Sequence, residues 1–549
     1  MLLNTSPVAI GVVVCSRINL NPSCNSAGTG VGIAGGSYNC YSSAFQDFGA
    51  TGDSLSTTDY AGFIQDNWKV TPRLTVEMGL RYDYEQYPAP TASFTTATFN
   101  SAGVQTFFPY PGLTNHPTDK NNLGPRLGFS IDLFGTGTTV LRGGYGIYYG
   151  RIVNATILQS YFGSGSPNGQ YGLASTKPTA AGAPVFPNPF AGGSGSKPSS
   201  YFLAADLQNP AVHEFDLQLQ RQVGKGTIAQ ISYMGALGRT LPNFLDVNLA
   251  PRTVSSTITI GAPSVSGFGN GPLPVGAQYV VPTFSGYTNP NFTNITEVIS
   301  NVNSSYNGVT AEVENHSLHR VQFDANYTWS HALDYSQNST AGTTTNNWLN
   351  PYGPALQNYA NSQWNIGNRF VGYVLYNFPE MSSGGPLKYV ANGWSIDDTF
   401  QIQNGLPYSA VIGSGFNSSA ALNSSWTGAP SPSGSAGDFL PPIGINSYQL
   451  PRTIVDDVRV QKGFKIEEKY DLQFSADMYN VANHQNYSIN STDVHQTAYN
   501  FTSSGAGVST LTYQPNTGPG VGFGSHSTSN TSGFLYTPRE IQVQARLMF

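Results

Sequence analysis

Few residues in this 549-residue chain stand at spacings that could do chemistry. Two carboxylate pairs stand out, Asp397-Asp398 and Asp456-Asp457. Each falls in a run of strand-like alternation, where neighbours point to opposite faces. Neither pair can therefore share a proton as general acid and base. His316 and His319 flank a short turn, but two imidazoles without Cys or carboxylates at metal-site spacing make a weak ligand set. His213-Glu214 has no second His at the metalloprotease spacing. The glycines near 518–524 lack the strand-to-helix setting of a phosphate loop. No nucleophile stands with a base. The expectation is a protein that is not an enzyme and uses no cofactor or metal.

Composition narrows the remaining classes. Lys and Arg number 24 against 30 Asp and Glu, a net charge of -6, and no basic run exists. That argues against a nucleic-acid partner. Only 10% of residues are charged, against about 25% in a typical soluble domain. A long helical protein would need more Ala, Leu, Glu and Lys, and disorder would not carry 32 Tyr and 30 Phe. Three Cys are too few for a disulfide scaffold. The longest early apolar run, Val8 to Cys15, is about half of what a membrane helix needs. No Lys or Arg precedes it, so it lacks the start of a secretory signal. A large, turn-rich, aromatic-rich β protein remains.

The elements that must position any site are strands. Leu74, Val76, Met78, Leu80, Tyr82 and Tyr84 alternate with Thr75, Glu77, Gly79, Arg81, Asp83 and Glu85. Val321, Phe323, Ala325, Tyr327 and Trp329 alternate with polar residues in the same way, as do Leu472 to Met478 and Ile541 to Phe549. This pattern predicts thirteen strands: 60–70, 74–86, 125–133, 139–150, 212–222, 226–236, 305–315, 319–332, 367–379, 392–404, 452–463, 469–481 and 539–549. Ten residues at ~3.3 Å, tilted near 45°, rise about 23 Å, matching the ~25 Å apolar band of outer-membrane barrels.

The connections alternate too. Short turns follow every odd strand, and long segments follow every even one: 87–124, 151–211, 237–304, 333–366, 404–451 and 482–538. A soluble sandwich has no reason to place every long loop at one end, whereas an outer-membrane barrel does. Tyr82, Tyr84, Tyr145, Tyr149, Tyr233, Tyr327 and Trp329 fall at strand ends near the long segments, and Phe378, Trp394 and Phe549 near the short turns. Two rings of aromatics are what membrane interfaces select. The opposite face carries Glu77, Arg81, Asp83, Arg126 and Arg142. It continues with Glu214, Asp216, Glu312, Asp324, Asp477 and Arg546. As a set these predict a hydrated or plugged interior. The loops are rich in Asn, Ser, Gly, Thr and Pro and read as solvated, partly mobile surface.

An ordered set of motifs adds a resemblance. It begins with Tyr60-Ala61-Gly62-Phe63-Ile64-Gln65-Asp66-Asn67-Trp68-Lys69-Val70-Thr71-Pro72-Arg73-Leu74-Thr75 and Gly79-Leu80-Arg81-Tyr82. Pro125-Arg126-Leu127-Gly128-Phe129, Leu141 to Tyr149, Ser305-Tyr306-Asn307-Gly308 and Tyr327-Thr328-Trp329-Ser330 follow. Asn368-Arg369-Phe370-Val371, Gly393-Trp394, Gln403 to Pro407, Tyr479 to His484 and Pro538 to Phe549 complete it. From about residue 58 onward the chain resembles TonB-dependent outer-membrane transporters, especially the large Oar-like, acidobacterial type.

The resemblance implies an all-β fold: an antiparallel transmembrane β-barrel of about 22 strands, with short periplasmic turns and long extracellular loops. It implies a bacterial outer-membrane location, outer-membrane lipid and the barrel-assembly machinery as partners, and coupling to TonB–ExbB–ExbD through a plug domain. The plug, the TonB box and the N-terminal signal have no counterpart in this chain. Residues 60–549 are therefore expected to be the C-terminal, thirteen-strand portion of such a barrel. Residues 1–59 are expected to be a remnant of the region before it, an extracellular loop. Cys15, Cys24 and Cys40 would then lie outside the cell, where one bridge can form, Cys24–Cys40 being the preferred pair. Phe549, a terminal aromatic on an alternating strand, resembles the signal read by the barrel-assembly machinery. Ligand capture is expected mainly from 151–211, 237–304 and 482–538. The function implied is energy-coupled uptake of a large or scarce solute. The alternatives are a passive porin-like channel and a secreted β-rich adhesin.

Overall fold

Alternation of this kind builds strands, and the computed structural model of the protein contains thirteen of them in one antiparallel path. They are β1 (Thr58–Thr71), β2 (Leu74–Gln86), β3 (Leu123–Asp132), β4 (Thr139–Tyr149), β5 (Ala211–Gly224), β6 (Thr227–Asp246) and β7 (Ile295–Asn315). The path continues with β8 (Val321–Asp334), β9 (Asn368–Asn377), β10 (Trp394–Gln403), β11 (Thr453–Ile466), β12 (Tyr470–Tyr479) and β13 (Glu540–Met548). Every neighbour in space is a neighbour in sequence, so the wall is a simple up-and-down meander. All thirteen expected strands are present. β1 and β13 are its edges and have no outer partner among the described residues.

The structure describes residues 3–4, 13–20, 41–49, 55–88, 95–99, 105–109, 117–162, 171–175, 200–248, 252–284, 288–289, 295–316, 318, 320–335, 359–382, 385–412, 438–439, 442–466, 470–487, 495–504, 508–518, 522–525 and 538–548. Phe549, Cys24, Cys40 and His319 lie outside them. Cys15 lies in a strand, Val13–Leu20, with its backbone opposite Asp47.

The short turns follow from local hydrogen bonding. The Thr71 hydroxyl accepts the amides of Arg73 and Leu74 (3.2 and 3.0 Å) between β1 and β2. Between β3 and β4 the Asp132 carboxylate accepts those of Gly135 and Gly137 (3.0 and 2.8 Å). Both glycines have positive φ (73° and 71°), which favours glycine. The β9–β10 connection holds a short helical turn, α2 (Leu387–Ala391).

Register then locks one face against the other. Trp68, Val76 and Phe129 are aligned across β1, β2 and β3, and so are Ile64, Leu80 and Pro125. Tyr145 is aligned with Leu127 and Phe215, and Trp329 with Val309. The resulting apolar face is solvent-accessible over much of the wall: Ile64, Ile231, Trp329 and Val543 are all exposed.

Two strands run well beyond the predicted ends. β6 has 20 residues and β7 has 21, whereas an apolar band ~25 Å tall needs about 10. Their paired extension, with register shifts near Gly238 and Leu241, rises past the wall on the long-segment side.

The long segments depart from the expectation of solvated surface. Strands Arg252–Ile260, Gln278–Phe284, Pro407–Ile412, Asp438–Phe439, Tyr448–Gln449, His495–Ser504 and Val508–Tyr513 join in one seven-stranded sheet. Three separate long segments supply it. Parallel pairings bind them, Ile258 with Ser509 and Ser409 with His495. A core of Ile258, Ile260, Tyr408, Ile412, Tyr499 and Leu511 fixes this cap. The reason is hydrophobic: each segment carries one short apolar run, too small to bury itself but sufficient when three combine. A smaller sheet pairs Tyr41–Gly49 with Val13–Leu20 and with Tyr171–Ser175.

Candidate functional site: the polar wall and its mouth

Every polar residue singled out by alternation falls on one face of the wall. Asp83 and Arg81 share it with Arg126, Arg142, Glu214, Asp216, Glu312, Asp324, Asp477 and Arg546, and register carries that face from strand to strand. The side chains form lateral ladders. Gln218 donates to Gln230 and Gln230 to Glu312, each at 2.7 Å. The Thr310 and Thr328 hydroxyls meet at 2.9 Å. Arg142 donates to Gln220 at 2.5 Å, and the Arg126 guanidinium lies 4.7 Å over the Tyr148 ring. Arg459 grips Asp477 through two hydrogen bonds of 2.6 and 3.0 Å. Such groups suit contact with water or a polar solute. No nucleophile is held against a base among them.

The carboxylate pairs behave as alternation predicts, with one addition that only register supplies. Asp397 lies on the polar face opposite Arg459. Asp398 lies on the apolar face, diagonally beside Asp456 of β11. Two acids side by side among Val374, Phe400 and Val458 are costly in hydrocarbon. Lys462, also on that face, escapes at its short-turn end. Its ammonium donates to the Asn392 carbonyl and lies 5.5 Å from the Trp394 ring and 4.6 Å from that of Phe464.

A second set was missed from sequence. Carboxylate oxygens of Glu312, Glu314 and Asp324 all lie within 4.8 Å of one another. Glu314 faces Asp324 across β7 and β8, and one Asp324 oxygen has no partner. His316 contacts Glu314 at 3.1 Å and Tyr373 at 3.3 Å. Oxygen-only donors suit a hard divalent cation. Alternation groups Glu312 with Glu314, but only register brings Asp324 beside them.

At the long-segment end, the chain after β4 turns onto the polar face. Arg151 reaches Asp59 at 3.1 Å and Glu85 at 3.5 Å. Glu85 also accepts the Ile152 amide (3.3 Å) and the Asn209 side chain (3.3 Å). Helix α1 (Asn154–Phe162) follows, and the strand Ser200–Leu203 adds in parallel to the β7 extension. Thr240, at the β6 bulge with φ +49°, donates its hydroxyl to the Asn209 carbonyl (2.9 Å). Asp246 lies beyond the wall at the end of β6, 3% exposed, accepting the amides of Asn248 and Ile295 (2.9 and 3.0 Å). Burial with no cation beside it pushes its carboxyl up to about 6.

In the cap, the Tyr499 hydroxyl accepts the Leu273 amide at 2.8 Å. Its ring lies 5.6 Å from that of Tyr513. Tyr408, Tyr448 and Phe523 pack beside them with ring centroids 4.9 to 5.8 Å apart. Burial pushes the Tyr408 and Tyr499 hydroxyls up to about 12.

Residues 23–542 match the family model of the outer membrane beta barrel domain. The chain belongs to that family. The barrel is therefore a bacterial outer-membrane structure, its apolar face turned to lipid and its polar face to the lumen. Solved structures similar to it include the outer membrane transporter YddB from Escherichia coli, at 12% identity and a TM-score of 0.43. That match covers 91% of this chain and 57% of the other. The FrpB iron transporter from Neisseria meningitidis is 11% identical, with a TM-score of 0.39, and 87% of this chain covers 49% of it. The siderophore receptor PiuA from Acinetobacter baumannii is 8% identical, with a TM-score of 0.39, and 92% covers 44%. The barrel chain thus spans about half the length of these structures. No curated protein matches it.

Proposed function

We propose that the protein forms wall, mouth and solute-capturing cap of a TonB-dependent transporter, similar to the Oar-like type. It takes part in energy-coupled uptake of a large or scarce solute. The observation that carries the reading is the cap: three long segments share one apolar core above a polar-lined wall. A passive channel has no need to hold a single folded body over its mouth. In this reading a plug filling the lumen links the barrel to TonB–ExbB–ExbD. Hydrocarbon tolerates no open sheet edge, so further strands close the wall beside β1 and β13. Phe549 serves as the signal for the barrel-assembly machinery, and its deletion lowers surface levels while leaving ligand affinity unchanged.

The test is a gene deletion in the source bacterium followed by uptake assays on scarce solutes. A defect that loss of TonB reproduces supports the proposal. A defect indifferent to TonB identifies a passive channel. Recovery of the protein in the medium rather than the outer membrane identifies an adhesin.

A further inference from the structure

The connections at the short-turn end of the wall are not alike. Residues 72–73 join β1 to β2 and residues 225–226 join β5 to β6, but residues 378–393, with α2 among them, join β9 to β10. Asn392 clamps this longer turn. Its side chain accepts the Met381 amide (2.7 Å) and donates to the Met381 carbonyl (2.9 Å). Two side chains of the apolar face then hold α2. The Trp394 indole donates to the Val390 carbonyl (2.8 Å), and the Lys462 ammonium donates to the Asn392 carbonyl. Trp394 and Lys462 stand opposite each other in register, on the face that also carries Ile396, Phe400 and Val460. The end of α2 is therefore drawn to the lipid side of the strand ends and away from the lumen side. Met381, Leu387, Tyr389 and Val390 are all left exposed there.

We propose that the β9–β10 turn is an interfacial anchor, inserted into the headgroup and acyl boundary of the periplasmic phospholipid leaflet. Continuity with the lipid-facing wall selects lipid over a protein partner. Tyr376 and Phe378 carry the apolar face of β9 to the turn, their rings 4.9 Å apart, and Phe464 and Phe474 stand beside Lys462 with rings 6.0 Å apart. The exposed residues of the turn extend this surface past the strand ends. Leu387, Tyr389 and Val390 fall within the five residues of α2, a density that contact with water alone does not favour. Charge agrees, because Glu380 and Lys388 cancel and leave the turn without net repulsion toward headgroups. The Lys388 ammonium lies 5.1 Å from the Tyr389 ring, and its long stem lets it stay among the headgroups while its neighbours go deeper. The proposal rests on the apolar face meeting lipid.

The test uses outer membranes of the source bacterium that carry the full chain, with Cys15→Ser, Cys24→Ser, Cys40→Ser and one fluorophore-labelled reporter cysteine. The membranes are fused with vesicles of phosphatidylethanolamine and phosphatidylglycerol that contain doxyl-labelled phosphatidylcholine. The doxyl lipid quenches from the bilayer, and iodide quenches from water. Val390→Cys and Leu387→Cys should both be quenched by the doxyl lipid and shielded from iodide, at a depth of ~5–10 Å into the headgroup and acyl boundary. Val374→Cys, exposed on the apolar face of β9, should also answer to the lipid. Lys225→Cys, exposed in the β5–β6 turn, should answer to iodide. Either turn reporter following Lys225→Cys places the turn in the periplasm and overturns the anchor. Turn reporters shielded from both quenchers identify a protein cover in place of lipid, which also overturns it. A Val374→Cys signal indifferent to the doxyl lipid overturns the lipid face itself, and the anchor with it.

Discussion

Replacing Tyr499 with Ala should unfold the cap as one body. The side chain is fully buried, and its hydroxyl is the acceptor for the buried Leu273 amide. Truncating a buried aromatic costs about 3–5 kcal/mol, and the orphaned amide keeps the effect toward the upper end. Taken as about 4 kcal/mol, the local opening constant rises about a thousandfold, since 1.4 kcal/mol is tenfold. Amide hydrogen exchange on the full chain reads this directly. Residues 257–260, 407–412 and 508–513, from three different segments, should accelerate together by about that factor, and β5 and β8 should not change. Tyr499→Phe removes only the hydroxyl and should cost about 1–2 kcal/mol, roughly fivefold to thirtyfold in the same amides. If Tyr499→Ala speeds exchange only in its own strand, with 257–260 and 407–412 still protected, the cap is not a cooperative unit.

Three further outcomes follow from individual groups. Gly405→Ala places a Cβ against the Leu450 and Pro451 carbonyls, so it should cost about 1–3 kcal/mol, seen as faster protease cleavage in the cap with the wall intact. Asp246 holds its proton to about 6, against an ordinary 3.8. Its contribution is therefore present at low pH and lost as pH rises between those values, about 3 kcal/mol at most. Asp246→Asn should flatten the pH dependence of proteolysis around β6 and β7, and an undiminished slope would assign it to another group. Asp398→Leu removes one of two adjoining acids from the lipid face and should stabilise the wall by about 1–3 kcal/mol. Urea unfolding in lipid vesicles measures it, and a loss of stability there would mean that this face meets water.

The wall was legible because its signal is local. Leu74 to Tyr84 state their own alternation, and the turn at Asp132 states its own hydrogen bonds, so no distant partner is needed to read either. The cap was not. All six residues of Pro407–Ile412 are buried, and a two-sided run that short shows no period to separate it from loop. Its partner, His495 to Tyr499, lies almost ninety residues away and pairs in parallel, a relation no local pattern encodes. The sequence pattern accordingly assigns no capture surface to segment 404–451, although it supplies a central strand of the cap.

Register marks the same limit within the wall. Asp397-Asp398 and Asp456-Asp457 are each split between faces, as sequence alone requires. Pairing β10 with β11 then does two opposite things. On the polar face it sets Asp397 opposite Arg459, which also holds Asp477, so charge there is balanced. On the apolar face it sets Asp398 against Asp456 with no cation beside them. A one-residue slip would exchange the two faces, sending Arg459 toward lipid together with every charge in β11 that now faces the lumen. The register that keeps the guanidinium hydrated thus leaves the acid pair on the lipid side. Acids are the smaller penalty there, because a carboxyl can take up a proton whereas a guanidinium stays charged.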